Sequence, residues 1–249
     1  MKWLQIFLRY QGITRTVHLF PIKFRNNMST INEINLEFET SSKSTGKYLV
    51  FDLETTGLPV NRNAPPDDFN NWPYVIQLAW LLFDNEDKLI EHMDFYLKQK
   101  VEIPIAATNI HGITTAMMLE KGKGPREIYS IFKKAIDNTE HIVCHNIGFE
   151  IPVITCDFLR NDMQWDFPNK KMFCTMESGA NFCKIQSYKY GGYKWPTLSE
   201  LYQKCFFPDN IVKNISGIHN ANTDAAMTAQ CFFKLKELGV FYEESKKPM

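Results

Sequence analysis

Tyr48-Leu49-Val50-Phe51-Asp52-Leu53-Glu54-Thr55-Thr56-Gly57 is an apolar run that ends on two acids one residue apart. In an extended strand neighbouring side chains point to opposite faces, so Asp52 and Glu54 share one face and Phe51 and Leu53 the other. The two carboxylates therefore aim at one point. Like charges so placed resist joint ionisation, and a bound cation is the usual relief, so a divalent metal site is the first reading of the stretch. Thr55-Thr56-Gly57 adds hydroxyls and a permissive backbone at the strand's exit. An isolated Asp-x-Glu is more often an edge strand with solvated acids, and residues elsewhere in the chain have to decide the matter.

Working outward, Tyr74 to Phe83 and Lys88 to Tyr96 are further strand-like runs rich in β-branched and aromatic residues, joined by the polar turn Asp84-Asn85-Glu86-Asp87. Three successive strands with one tight turn predict an antiparallel meander. The period then changes. Ile128, Ile131, Phe132, Ala135 and Ile136 form a helical stripe behind Gly124-Pro125, with proline in the first turn. A short strand is expected at His141 to Cys144, a helix at Phe149 to Leu159, a strand at Lys171 to Cys174 and a helix at Thr197 to Phe206. Ala225, Thr228, Cys231, Phe232 and Leu235 mark a last helix, stopped by Gly239. The sum is an α/β fold: a mixed five-stranded sheet, antiparallel meander then parallel strands, flanked by helices, with the acidic strand central.

At 249 residues and 44% hydrophobic, with 19 Phe, the chain can bury a large core, and one domain is expected. Basic and acidic residues number 28 each, so net charge neither indicates nor excludes a nucleic-acid partner. Six cysteines show no Cys-x-x-Cys pair and read as buried thiols in a reducing compartment, which makes a cytoplasmic location the expectation. Residues 1–46 are read as a poorly ordered extension, 47–240 as the domain and 241–249 as a short tail. Residues 1–32 carry five basic side chains and no acid, with Trp3, Ile6, Phe7 and Tyr10 at helical spacing, which keeps organelle targeting open as the alternative. Met28 is read as the natural start. No run is long enough to span a membrane.

Two loops stand outside this frame. Residues 59–72 make a long polar connection directly after the acidic pair, a position from which a loop can cover a site. Residues 184–195 interleave Lys184, Lys189 and Lys194 with Tyr188, Tyr190, Tyr193 and Trp195. Lysine binds phosphate and aromatic rings stack on bases, so a single-strand contact and an ordinary surface loop are both open readings.

Two more segments bring acids in matching contexts. His145-Asn146-Ile147-Gly148-Phe149-Glu150 follows a short strand and puts Glu150 in the first turn of a helix, where the macrodipole favours negative charge. His219-Asn220-Ala221-Asn222-Thr223-Asp224 opens the last helix in the same way, with Asn222 or Thr223 as the expected cap. With these motifs the chain resembles the DEDD superfamily of 3′-to-5′ exonucleases, in the branch whose third motif is His-x-x-x-x-Asp, the proofreading epsilon-subunit type with a ribonuclease-H-like fold. The resemblance is carried by Asp52-x-Glu54-Thr-Thr-Gly, His145-Asn146-x-x-Phe149-Glu150 and His219-x-Ala221-x-x-Asp224-Ala225, with Ile110-His111-Gly112 like the segment beneath the terminal nucleotide. It spans residues 47–238.

The resemblance implies two divalent cations, Mg2+ or Mn2+, about 4 Å apart. Asp52 would bridge them, Glu54 and Asp224 would complete the shell of one, and Glu150 would help hold the other. His219 would take the proton of the attacking water, a task suited to imidazole, which titrates near neutrality. Thr55, with Glu54, would meet the 3′-terminal nucleotide, His111 its sugar or base, and Asn146 the following phosphate. The implied partner is a single-stranded or frayed 3′ end, DNA before RNA, with no membrane and no evident polymerase partner. One position departs from the family: Glu150 stands where aspartate is usual and reaches one C–C bond, roughly 1.5 Å, further. A nucleic-acid-binding protein with little turnover is therefore the rival reading, and an RNA-trimming exonuclease another. Asp157, roughly 10 Å along the helix, is no substitute for the missing aspartate. His111, His145 and His219 lack zinc-ligand spacing, and His145 is expected to be structural.

Overall fold

The computed structural model describes residues 5–10, 13–18, 46–164, 170–188, 191–208 and 219–241. Near the start, β1 (Gln5–Tyr10) and β2 (Ile13–His18) pair antiparallel as a separate two-stranded sheet. The helical spacing of Ile6, Phe7 and Tyr10 is thus not realised. Both segments are rich in β-branched and aromatic side chains, which suit a strand better than a helix. Trp3 and Met28 lie outside the described residues, as does most of the tail.

The main sheet is built from β3 (Gly46–Thr55), β4 (Val75–Phe83), β5 (Leu89–Tyr96), β6 (Thr139–Cys144) and β7 (Lys171–Cys174), in the order β5-β4-β3-β6-β7. β3, β4 and β5 form the expected antiparallel meander, and β6 and β7 add on parallel. β3 is therefore central and buried on both faces, which is why its sequence reads as a nearly unbroken apolar run.

Its alternation decides what each face meets. Leu49, Phe51 and Leu53 pack with Trp80, Phe132 and Ile154 beneath α3 (Pro125–Asp137) and α4 (Ile147–Arg160). Tyr48 and Val50 face α7 (Ala221–Glu237), against Ala221, Ala225, Ala226, Ala229 and Phe232. Asp52 and Glu54 fall on this second face by the same alternation. The alanines let α7 approach the sheet closely.

Helices α1 (Ile105–His111), α2 (Thr115–Lys121) and α5 (Thr175–Cys183) were not legible from periodicity, being at most nine residues long. α1 ends on Gly112, whose left-handed φ of 76° lets its N–H reach the Thr108 carbonyl and fixes His111 at the helix end. α6 (Leu198–Phe206) starts with a complete capping box between Thr197 and Glu200. All six cysteines are free. Among the described residues no helix is long and apolar enough to cross a membrane.

The polar loop 56–74 is clamped rather than loose. Asp157 on α4 is fully buried and accepts hydrogen bonds from Tyr129 (2.6 Å), Gln99 (2.8 Å), the Val75 N–H (3.1 Å) and Arg160 (2.8 Å). Arg160 in turn donates to the carbonyls of Phe69 (2.6 Å), Pro73 (2.9 Å) and Trp72 and lies over the Tyr74 ring. Burial raises the Asp157 pKa in spite of these donors, which shows how much desolvation the network offsets. Replacing Asp157 with leucine leaves the Arg160 cation buried without its counter-ion, and a loss of about 3–5 kcal/mol is expected in denaturant unfolding; a loss under about 1 kcal/mol would show that the clamp is incidental.

Candidate metal centre

Four acids converge at the end of the central strand. Asp52 and Glu54 come from β3, Asp224 from the first turn of α7 and Glu150 from the first turn of α4. Their exposures are only 8%, 8%, 7% and 5%, so none is an ordinary solvated carboxylate. Asp52, Glu54 and Asp224 each offer an oxygen within 4.8 Å of the others. Glu150 stands outside that triad but close enough to act on it.

The electrostatics follow from this crowding. Burial first, and then the charges of Glu150, Asp224 and Glu54, push the Asp52 pKa well up. Glu54 rises to about 8, through burial and Asp224. Asp224 rises to about 7 through burial, held back by the His219 N–H, which donates to its Oδ2 at 3.0 Å. Glu150 is raised by burial, Glu54 and Asp224, against a hydrogen bond from the Leu53 backbone. In addition, Glu150 Oε2 and Asp224 Oδ1 are buried with no hydrogen-bond partner. Unpaired oxygens in a dry pocket of like charges are costly unless a cation takes them. The donor set is all oxygen, which fits a hard divalent ion.

Around the acids, the other expected residues fall as follows. His219 has an exposed side chain and a left-handed backbone, φ 64°, immediately before α7. Its backbone, rather than its ring, makes the bond to Asp224. The α7 cap is Asn220, which accepts from the Thr223 N–H, not Asn222 or Thr223 as expected; the helix starts two residues sooner because Ala221 already has a partner for its N–H. His111 Nδ1 accepts from the Ile113 N–H at 3.0 Å, which leaves the ring proton on the buried Nε2, with the Thr55 carbonyl nearby. Burial lowers its pKa, the nearby Thr55 carbonyl opposes this and His219 adds to it. Thr55 ends β3 at a break in register with β4, and its hydroxyl donates to the Gly57 carbonyl at 2.7 Å. Asn146 caps α4 from a left-handed conformation, φ 85°, with its side chain unused in the cap. His145 is structural: Nε2 meets the Pro196 carbonyl at 3.2 Å, Nδ1 the Thr175 hydroxyl at 2.9 Å, and burial lowers its pKa to about 4.

One functional side chain was missed in the sequence. Gln77 sits opposite Glu54 on β4, fully buried, and its Oε1 accepts the Ala221 N–H, the first of α7, at 3.2 Å, while its Nε2 donates to Asp94 at 2.8 Å. His92 on β5 also bonds the Asn222 side chain at 2.6 Å. Both links tie the start of α7, and so Asp224, to the sheet. A glutamine inside the apolar run Val75 to Phe83 was the available signal.

A profile of the exonuclease family RNase_T matches residues 49–232, which include all four acids. Among solved structures the chain is similar to exonuclease I of E. coli. The complex with a dA16 oligonucleotide gives a TM-score of 0.58 at 20% identity, covering 76% of this chain and 40% of that one. The complex with a dT13 oligonucleotide gives 0.58 at 21% identity over the same shares. This chain thus spans 40% of the length of those proteins, and at that identity the likeness is one of fold. No curated protein matches the chain.

The raised pKa values set a direction for stability against pH. With Glu54 titrating at about 8 and Asp224 at about 7 in the folded chain, against 4.5 and 3.8 ordinarily, the folded state holds protons that the unfolded state releases. The contribution of this pair to the stability of the cation-free protein should therefore be fully present below about pH 4 and be lost as pH rises to about 8. Magnesium or manganese at about a hundred times its dissociation constant should restore about 2.7 kcal/mol at neutral pH, read as a rise in Tm. A Tm that climbs from neutral pH to about pH 8 without cation, or ignores the cation at neutral pH, would contradict the reading of the site.

Proposed function

The chain belongs to the RNase_T exonuclease family, within the DEDD superfamily, and we propose that it hydrolyses phosphodiester bonds one by one from the 3′ end of a DNA strand, single-stranded or frayed. The reading rests above all on three buried carboxylates within 4.8 Å of one another, with two buried carboxylate oxygens left unpartnered beside them. Exonuclease I of E. coli was seen in complex with dA16 and dT13 oligonucleotides, which supports single-stranded DNA as the substrate. The spacing of His219 five residues before Asp224 supports the branch with a histidine in the third motif.

Asp52, Glu54, Glu150 and Asp224 would hold two divalent cations, Mg2+ or Mn2+, with Asp52 shared. Bound there, such ions favour ionisation of the attacking water and neutralise charge on the leaving oxygen. The protein's own groups do the rest. The Gln77 and Asn220 contacts at the start of α7 hold Asp224 in place, and the exposed His219 ring receives the water's proton. Attack on phosphorus breaks the bond to the 3′ oxygen of the preceding nucleotide and frees a 5′-mononucleotide. His111, kept toward its neutral form by burial and lying by the Thr55 carbonyl, is suited to donate to the sugar or base of the terminal nucleotide. Asn146, with its side chain free of the helix cap, is suited to the next phosphate.

Glu150 carries the second reading, in which the chain binds strands but turns them over slowly. Its longer side chain shifts the carboxylate by roughly 1.5 Å, and displacements near 1 Å can cost about a hundredfold in rate.

Purified protein with magnesium or manganese is expected to release mononucleotides from the 3′ end of a labelled single strand, faster with DNA than with matched RNA, and Asp52→Ala should abolish release. Label appearing first from the 5′ end, or equal inertness of wild type and variant on every strand, would end the proposal. Glu150→Asp separates the two readings: a rate raised by tenfold or more, up to about a hundredfold, favours the weak-turnover reading, and a lowered rate shows the site is built around glutamate.

A further inference from the structure

The lysine-aromatic segment 184–195 finds a place beside the acids. Between α5 and α6 it folds back on itself: Gln186 pairs antiparallel with Tyr193, the Ser187 N–H donates to the Gly192 carbonyl at 2.9 Å and the Lys194 N–H to the Ile185 carbonyl at 2.8 Å. Gly191 and Gly192, at φ 70° and 68°, supply the left-handed backbone that a tight return requires. Lys189 and Tyr190 lie outside the described residues.

The root of this hairpin is fixed on three sides. Pro196 is buried, and its carbonyl accepts from His145 Nε2 at 3.2 Å. Lys194 Nζ meets both Glu200 oxygens, at 2.6 and 2.8 Å, inside the capping box of α6. At the other end the segment leaves α5 through Lys184, at φ 53°.

Sheet register relates this root to the acids. Val50 pairs with Val143 and Cys144 with Cys174, both in parallel, so Asp52 lies just past the end of one ladder and His145 and Thr175 just past the end of the other. Paired residues of parallel strands point to the same face, and adjacent strands lie about 4.8 Å apart. His145 leaves the carboxyl end of β6, the strand beside the one that carries Asp52, and it holds Pro196.

What the root carries outward is aromatic. Tyr188 at the turn is 101% exposed, Trp195 58% and Tyr193 39%. Tyr193 and Trp195 are two residues apart on the returning arm of the hairpin. Exposed rings on an anchored hairpin are costly to leave in water and ready to stack.

We propose that Tyr188, Tyr193 and Trp195 form a stacking platform for the bases of the same single strand whose 3′ end enters the acid site, a few nucleotides back from the scissile bond. The assignment rests on the nuclease reading above and adds to it a preference for unpaired bases and a dependence on strand length. Stacking needs an accessible ring face on each base, which a paired duplex withholds, so the platform selects single strands without reading sequence.

The test is binding and length. Fluorescein-labelled oligothymidylates, from a dinucleotide to strands several nucleotides longer, are titrated with the full chain in calcium and followed by anisotropy. Affinity should climb with length in wild type. Tyr193→Ala and Trp195→Ala should each lower the affinity of the longer strands on the order of tenfold and leave the dinucleotide unchanged. A second arm uses wild type alone: a strand abasic at the upstream positions keeps its phosphates but offers no rings, and it should bind like the short strand. Equal affinity for abasic and intact strands, or variants with unaltered length dependence and unaltered Tm, would overturn the platform. Hydrolysis of p-nitrophenyl thymidine 5′-phosphate reports the acid site separately: lost turnover there with the binding pattern intact would count against the nuclease reading and leave the platform standing.

Discussion

Four carboxylates kept out of water in mutual repulsion set the terms for this structure. Asp52, Glu54, Glu150 and Asp224 each expose less than a tenth of their surface; burial pushes every one toward its protonated form, and neighbouring carboxylates add to the push on Asp52, Glu54 and Glu150. Left to itself such a cluster would push apart or stay protonated. The fold resists the first and a cation relieves the second. Stability is given up locally so that the pocket is ready before any ion arrives, as is common where binding sites are preorganised.

The elements that hold the cluster are unequal in kind. Two acids come from one central strand flanked on both faces, where position is set by the sheet ladder and cannot drift without breaking it. The other two come from helix starts, which need fixing. Alanines at 221, 225, 226 and 229 bring α7 close, and Gln77 anchors its first amide across 144 residues of chain. On the opposite face, Asp157 and Arg160 bind α4 to the loop that leaves the acidic strand. Left-handed backbones at Asn146 and His219 lie next to the two helix-borne acids, where a tight entry aims the helix at the pocket.

Much of this was legible in the sequence because it depends on periodicity and spacing. The period-2 alternation from Tyr48 to Glu54 gave the faces of β3, the stripe from Ile128 to Ile136 gave α3, and the family resemblance carried by the motifs implied that the acids come together. Other features depend on contacts distant in the chain and leave no local trace. Gln77 reads as one polar residue in a strand until Ala221 is seen beside it, and Asp157 reads as a surface acid of a helix until Tyr129, Gln99 and Arg160 surround it. The α7 cap shifted from Asn222 or Thr223 to Asn220 for the same reason: the partner of Ala221 is on another strand. Helices α1, α2 and α5 were too short for a stripe to show.

The His145 to Pro196 contact joins the two halves of the functional reading, since it sets an exposed aromatic hairpin one strand away from Asp52. Chemistry at the acids and grip on the strand would then share the carboxyl end of two adjacent strands, β3 and β6. At the root of both is a cluster of carboxylates held toward their protonated forms, which uptake of a metal would oblige to surrender protons. Calorimetric titration of manganese into cation-free protein near neutral pH, in two buffers of different ionisation enthalpy, measures that exchange. Release of one or more protons per chain, reduced in Asp52→Asn, is the expected result; manganese uptake with no proton release, or no uptake at all, would contradict it.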